Sequence, residues 1–293
     1  RRGFVAIDVD RLLNWPFEDV VQRYDARDAM FYALSVGLCA DPMDERELRY
    51  VYEKDLAVFP TLPAVLCHPG PWMADPRSGI DRSKVVHGEQ RVVLHRRPLP
   101  TAATVRGRTR VVGVVDKGEG RGALIYQERR LVDDATGEPL ATLLQTSFAR
   151  ADGGFGGPRE APVPALEPVP DATPPDVVAE MPTFANQALF YRLNADRNPL
   201  HAEPAVARRA GFERPILHGM CTFAVAAHAV LKTVGGYDPA SILDIEARFS
   251  APVFPGETIS VEMWRQGRTV RFRASVPTRG TKVLDHGRVT LAG

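Results

Sequence analysis

The chain is poor in three things that would each have marked its class. It has only 3 cysteines in 293 residues, Cys39, Cys67 and Cys221, far apart and without a CxxC pair. That excludes a disulfide framework and a zinc ribbon and predicts a reducing compartment. It has almost no excess charge: 37 Lys and Arg against 36 Asp and Glu leave a formal net charge of +1, so no broad positive field exists for nucleic acid or an anionic membrane surface. It has no apolar run near the roughly 20 residues that cross a bilayer, and the opening stretch RRGFVAIDVDRLLNWPFEDV carries charge or proline every few residues where a leader has an apolar core. GxSxG and HExxH are missing too, and the 7 histidines show no ligand spacing. The expectation is a cytoplasmic protein with no metal, no nucleic-acid partner and no membrane partner.

What remains is ordinary globular material, 44% hydrophobic and 25% charged, long enough at about 150 residues per domain for two units. The sharpest change in composition is Gly153 to Pro175, GGFGGPREAPVPALEPVPDATPP, with seven prolines, four glycines and no apolar face. It predicts a semi-rigid connector, which divides the chain into a first unit (1–152), a linker (153–178) and a second unit (179–293). The two units resemble each other weakly: RVVLHRRPLP at Arg91 and RFSAPVFP at Arg248 each open a β-type run, with Pro98 and Pro252 about half the chain apart. On that match alone duplication stays open.

Strand signals follow both stretches. Thr104–Val115, Ala123–Leu131 and Leu140–Phe148 in the first unit, and Thr258–Arg265, Thr269–Val276 and Lys282–Leu291 in the second, are rich in Val, Ile, Thr and Tyr and are parted by turn residues. Helical signals precede them. Met220–Leu231 is apolar at 10 of 12 positions with no polar stripe, so it must be enclosed. Ala29–Leu38 is its counterpart, with Asp25 and Asp28 as capping candidates. Each unit therefore reads as one buried helix followed by an antiparallel sheet, an α+β arrangement.

The densest polar constellation is YRLNADRNPLHAEPAVARRAGF from Tyr191, which puts Asp196, Asn198 and His201 within six residues around Pro199. Proline fixes its own φ and pushes Asn198 out of the α region, so the stretch is a shaped loop whose side chains can converge. A carboxylate and an imidazole aimed at one spot make an acid/base pair working near neutral pH. The same residues also fit an Asx-type turn at Asp196 and a capping or core His201, and the pattern alone leaves both open. Downstream, Pro215-Ile216-Leu217-His218-Gly219-Met220 delivers the chain to the N-terminus of the enclosed helix. There the Gly219 N–H could meet a ligand carbonyl as an oxyanion-stabilising donor; a tight turn at Gly219 and a packed or solvent-facing His218 are the plain alternatives. Lys117 lies in Lys117-Gly118-Glu119-Gly120, where an ammonium could meet a phosphate or stay solvated, and the surrounding GxGxG precedes a strand, unlike a dinucleotide fingerprint. Cys221 beside His218 opens an apolar helix and reads as core.

The string YRLNADRNPLHAEPAVARRAGFERPILHGMCTF closely resembles the signature of the MaoC-like, hydratase 2 family of (R)-specific 2-enoyl-CoA hydratases. Likeness to the two-domain members, including the hydratase unit of peroxisomal multifunctional enzyme type 2, extends to RYVYEKDLAVFPTLPAV, His87-Gly88-Glu89-Gln90, Pro98–Ala102, Asp116-Lys117-Gly118 and the GGFGG stretch. The resemblance implies a double hot-dog fold with one active site per chain, since Tyr24-Asp25-Ala26-Arg27-Asp28, the first-unit counterpart of the loop, has no histidine. It assigns the catalytic pair to Asp196 and His201, an orienting role to Asn198 and the thioester oxygen to the Gly219 N–H. It puts substrate and CoA contacts at His87, Gly88, Lys117, Arg197, Pro199, Leu200 and Phe249. Asn194-Ala195 replaces the family's common Ser-Gly, and Arg197 replaces a frequent aromatic, departures that bear on substrate preference. The implied reaction is reversible addition of water to a trans-2-enoyl-CoA, giving the (R)-3-hydroxyacyl-CoA without a cofactor, by a chain that is plausibly a homodimer and takes medium, long or bulky acyl groups. A hot-dog thioesterase and a non-catalytic acyl-CoA-binding module are the alternatives.

Overall fold

Runs of Val, Ile, Thr and Tyr punctuated by glycine and aspartate turns pair into hairpins, and ten such strands join in one antiparallel sheet in the computed structural model, which describes residues 6–293. The first five residues of the opening stretch, read above as no leader, lie outside the described residues. The first unit holds α1 (Val9–Leu13), β1 (Val20–Tyr24), α2 (Ala26–Val36), α3 (Glu45–Leu48), β2 (Val85–Leu94), β3 (Ala103–Asp116), β4 (Ala123–Asp133) and β5 (Pro139–Ala149). The second holds β6 (Val177–Pro182), α4 (Gln187–Tyr191), α5 (Pro204–Arg209), α6 (Gly219–Thr233), β7 (Ile242–Phe249), β8 (Thr258–Gln266), β9 (Thr269–Val276) and β10 (Thr281–Leu291).

The strand order is β1-β3-β4-β5-β2-β7-β10-β9-β8-β6. Outward from the central β2–β7 seam, the two halves run β2-β5-β4-β3-β1 and β7-β10-β9-β8-β6, the same order twice, so the unit is duplicated and the α+β, double hot-dog expectation holds. β2 begins at Val85, six residues before the run expected at Arg91, and β1, β6 and β7 were not foreseen as strands. At the seam, Glu89 faces Arg248 and Arg91 faces Glu246 on the outer side, while Gln90 faces Ala247 and Val92 faces Ile245 on the inner side. Arg248 donates to Glu89 at 2.9 Å across it.

α6 is buried from Cys221 through Leu231, as its lack of a polar stripe requires. α2 begins at Ala26 under a capping box in which Asp25 accepts from the Asp28 N–H and Asp28 accepts from the Asp25 N–H. The predicted connector is a strap tied to the sheet. Asp116, fully buried at the end of β3, accepts from the N–H groups of Gly118, Gly154, Gly156 and Gly157, and these donors hold its carboxyl down to about 2. Further along, Arg91 donates to the Pro164 carbonyl and Trp264 to the Thr173 carbonyl. The strap ends two residues early, because Val177 and Val178 of the expected linker pair with Met263 and Glu262 as the start of β6.

A buried cluster locks the units together. Glu47 of α3, 3% exposed, accepts from His228 of α6 at 2.8 Å, from the Tyr237 hydroxyl at 2.6 Å and from the Cys39 N–H at 2.6 Å. Burial pushes the Glu47 carboxyl up, yet these donors outweigh it and bring it to about 2. Removing one partner of such a group strands the others, so Glu47→Ala is expected to lower stability by about 3 kcal/mol. Since the folded carboxyl titrates below its ordinary 4.5, the stabilisation is complete above pH 4.5 and fades as the pH drops toward 2. Urea unfolding of both proteins at pH 7 and at pH 3 checks this, with a smaller gap at the lower pH.

Candidate active site

The loop between α4 and α5 takes its shape from its own side chains. The Asp196 Oδ1 accepts from the Asn198 N–H at 3.0 Å, the Asn198 Oδ1 accepts from the Leu200 N–H at 3.1 Å, and Pro199–His201 close a short 3₁₀ turn. The Asx turn expected as the plain alternative is therefore present, and it leaves the second Asp196 oxygen without a bond inside the turn. It uses one Asp196 oxygen and aims the other at His201, whose Nε2 lies 3.9 Å from Oδ2. That spacing is too long for a direct hydrogen bond and suits one water bonded to both groups. Asn198 shapes the turn through its oxygen, which leaves its amide N–H groups free to orient a ligand.

His201 is inside and Asp196 is at the surface, with side chains 9% and 55% exposed. The His201 Nδ1 lies 2.9 Å from the Ile216 carbonyl oxygen, an acceptor only, so Nδ1 carries the proton and Nε2 presents a lone pair toward Asp196. Burial lowers the His201 pKa below 6.5 against the opposing pull of Ile216 and Asp196. The imidazole is thus a neutral base at neutral pH.

His218, for which the sequence allows a packed or a solvent-facing ring, is buried and belongs to this cluster. Its ring stacks on His201 with centroids 3.7 Å apart and planes 24° from parallel, and its Nε2 donates to the Asp196 carbonyl at 3.0 Å. Burial, then the neighbouring His201, lowers its pKa to about 4. Asp196, His201 and His218 are the one group of metal-ligand type found among the described residues. One ring nitrogen of each histidine is already engaged, His201 Nδ1 on the Ile216 carbonyl and His218 Nε2 on the Asp196 carbonyl.

Gly219 is the first residue of α6. The Cys221 and Thr222 N–H groups return to the His218 carbonyl, while the Gly219 N–H is one of the first-turn donors that have no partner within the helix, at its positive end. A Cβ on Gly219 would sit 3.2 Å from two ring carbons of Phe249. Phe249, at the end of β7, in turn packs on His87 of β2 with centroids 4.5 Å apart.

A bulge decides where His87 points. His87 pairs with Ser147 and Glu89 with Thr146, so Gly88 is the extra residue. Without it the alternation set by Gln90 and Val92 would turn His87 to the outer face. With it, His87 joins the inner face, its Nε2 is buried without a partner, and burial lowers its pKa to about 4. A Cβ on Gly88 would lie 3.1 Å from the Thr146 carbonyl oxygen.

The structure thus gathers Asp196, His201, Gly219, Phe249, His87 and Gly88 around the seam end of α6. Lys117 leaves β3 with its ammonium 5.0 Å above the Phe148 ring, next to Ser147 on β5. Arg197, Pro199 and Leu200 lie on the same loop as Asp196 and His201, Arg197 and Pro199 exposed and Leu200 half-buried. Cys221 is buried, its thiol pushed up by enclosure, which leaves it unreactive core.

The sequence profile of the MFE-2 hydratase 2 N-terminal domain matches residues 22–151, and that of the MaoC like domain matches residues 168–286. The chain is 40% identical over 283 residues to 3-hydroxyacyl-thioester dehydratase Y of Mycobacterium tuberculosis, covering 93% of this chain and 94% of that protein. It is 35% identical over 289 residues to the peroxisomal enoyl-CoA hydratase 2 of Arabidopsis thaliana, covering 94% and 93%. The crystal structure of a MaoC-like dehydratase from Phytophthora capsici superposes with a TM-score of 0.85 at 34% identity, covering 97% of this chain and 98% of that one. A chain with this loop, this helix start and these relatives over nearly its whole length belongs to the MaoC-like hydratase 2 family in its double hot-dog form.

Proposed function

We propose that the protein is a hydro-lyase that reversibly hydrates a trans-2-enoyl-CoA to the (R)-3-hydroxyacyl-CoA in acyl-CoA metabolism, with Asp196 and His201 as its acid and base. The observation that carries this reading is the bare Nε2 of a neutral His201 facing the Asp196 carboxyl group at a spacing suited to one water. Relatives named enoyl-CoA hydratase over nearly the full chain length support it.

In the hydration direction His201 takes a proton from the water as its oxygen bonds to C3. The electron pair of the C2=C3 bond shifts toward the thioester oxygen, where the Gly219 N–H meets the growing negative charge. Asp196 holds the same water as a carboxylate, takes that proton over from His201 and delivers it to C2, so both additions come from one face and both side chains end as they began. Electrons and protons balance within substrate, water and the two side chains, so no metal or redox cofactor is called for. The half-buried Lys117 at the same end of the sheet is suited to a CoA phosphate. Leu34 on α2 and Leu189, Phe190 and Leu193 on or next to α4 are 43–51% exposed, and this apolar surface supports a homodimer. Three free thiols support a reducing compartment such as the cytoplasm.

Loss of enoyl absorbance, with thiol release followed in parallel, tests the reaction: hydration without free thiol is expected, and thiol release without hydration would make the protein a thioesterase. Asp196→Ala and His201→Ala are each expected to cut turnover by roughly 10²–10⁴; near wild-type hydration by both variants contradicts the assignment. Because His201 titrates below 6.5 and works as the neutral base, kcat/KM should hold at pH 7 and fall on an acid limb whose midpoint lies below 6.5. Gly219→Ala keeps the N–H but presses a methyl on Phe249, so turnover should fall roughly 10-fold or more, toward the 10²–10³ loss seen when one oxyanion donor is removed.

A further inference from the structure

The inner faces of the two half-sheets differ in kind. In the second unit the inward positions of β7, β8 and β9 are apolar, with Ile245, Ala247 and Phe249, then Val261 and Met263, then Val270, Phe272 and Ala274. The duplicated first unit puts polar groups on the matching surface. Gln90 of β2 pairs with Gln145 of β5, and Gln145 with Gln127 of β4, so three glutamines cross the sheet in one row. The row on one side of them is His87–Ser147–Ile125, at the active site; the row on the other side is Val92–Leu143–Arg129.

Arg129 is 7% exposed. Its Nη2 donates to the Ala64 carbonyl at 2.8 Å, and its Nε is buried with no partner. Among the described residues no carboxylate forms an ion pair with it. Burial lowers its pKa only to about 10, so it stays charged at neutral pH. A buried, unpaired cation is costly and calls for a counter-ion. The side chains over this face come from the turns between residues 57 and 80, where Trp72 donates to Gln127 at 2.6 Å. His68, on the same segment, keeps part of its surface in solvent, yet burial and the Arg129 charge lower its pKa and the Asp196 carboxyl raises it, so both charges act on one imidazole. Along the strands, the Arg129 row lies roughly 14 Å from the His87 row, four residues at about 3.4 Å each, which is the reach of a medium-length acyl chain.

We infer that the first unit's interior selects enoyl thioesters whose acyl chain ends in a carboxylate, with Arg129 pairing with that carboxylate and the Gln90–Gln145–Gln127 row flanking the chain. The inference rests on the hydration reading above and names the substrate class of that site. A guanidinium with an unspent Nε–H binds a carboxylate by charge-assisted hydrogen bonds that an alkyl end cannot replace.

The test compares kcat/KM for two trans-2-enoyl-CoA esters of equal medium length, one ending in a carboxyl group and one in a methyl group. The wild-type protein is expected to favour the carboxyl-terminated ester by roughly tenfold or more, the scale of a hydrogen bond to a charged group. Arg129→Met should abolish that preference and Arg129→Lys, which keeps the charge, should retain part of it. A wild-type ratio of one or below overturns the inference while leaving hydration intact, and a preference that survives in the Met protein overturns the role of Arg129. Should the Met protein fail to fold, the wild-type ratio and the Lys protein decide. Hydration of neither ester by the wild-type protein overturns the hydration reading and this inference together.

Discussion

A single hydrogen bond, from His201 Nδ1–H to the Ile216 carbonyl, is the constraint on which the proposed chemistry depends. It places the proton on the side of the ring away from Asp196 and leaves Nε2 bare where a water can be held. Everything nearby serves that orientation. Pro199 and the two Asx-type bonds bend the loop so that His201 reaches inward. The stacked His218 closes one face of the ring and fastens the Asp196 backbone. Burial keeps His201 neutral, and burial together with the neighbouring His201 ring holds the stacked His218 neutral as well.

Under the proposed assignment, the duplicated sheet lets one unit supply the acid and base while the other supplies a wall. The β2–β7 seam brings His87 of the first unit against Phe249 of the second, and Phe249 in turn lies against Gly219 at the start of α6. The Asp196–His201 loop and the Gly219 N–H proposed as oxyanion donor are thus local to one unit, whereas the surface they face is built across the seam. At the first-unit equivalent of the loop, Asp25 is used in a capping box, and the inner face beyond it has exchanged apolar residues for glutamines and Arg129.

The parts of this arrangement legible in the sequence are those made by neighbours in the chain. Asp196, Asn198, Pro199 and His201 fall within six residues, and the enclosed α6 announces itself by having no polar stripe. Strands bounded by clear turns, such as Thr269–Val276, were readable to the residue. What stayed hidden depends on pairing between distant segments. The start of β2 was missed because the Gly88 bulge breaks the alternation of Val85 to Gln90, and that same bulge turns His87 inward. His218 could be placed beside Gly219 but not stacked on His201, because their contact closes over 17 positions of folded chain. Arg129 sits in a strand whose polar residues would ordinarily face solvent, and only the turns that cover it reveal that it is buried.

The account stands on the state of one ring, and ¹⁵N NMR of His201 in the wild-type protein reads that state directly. The account predicts a neutral imidazole at pH 7 with the proton on Nδ1 and a bare Nε2. A ring carrying its proton on Nε2, or doubly protonated at that pH, would contradict it.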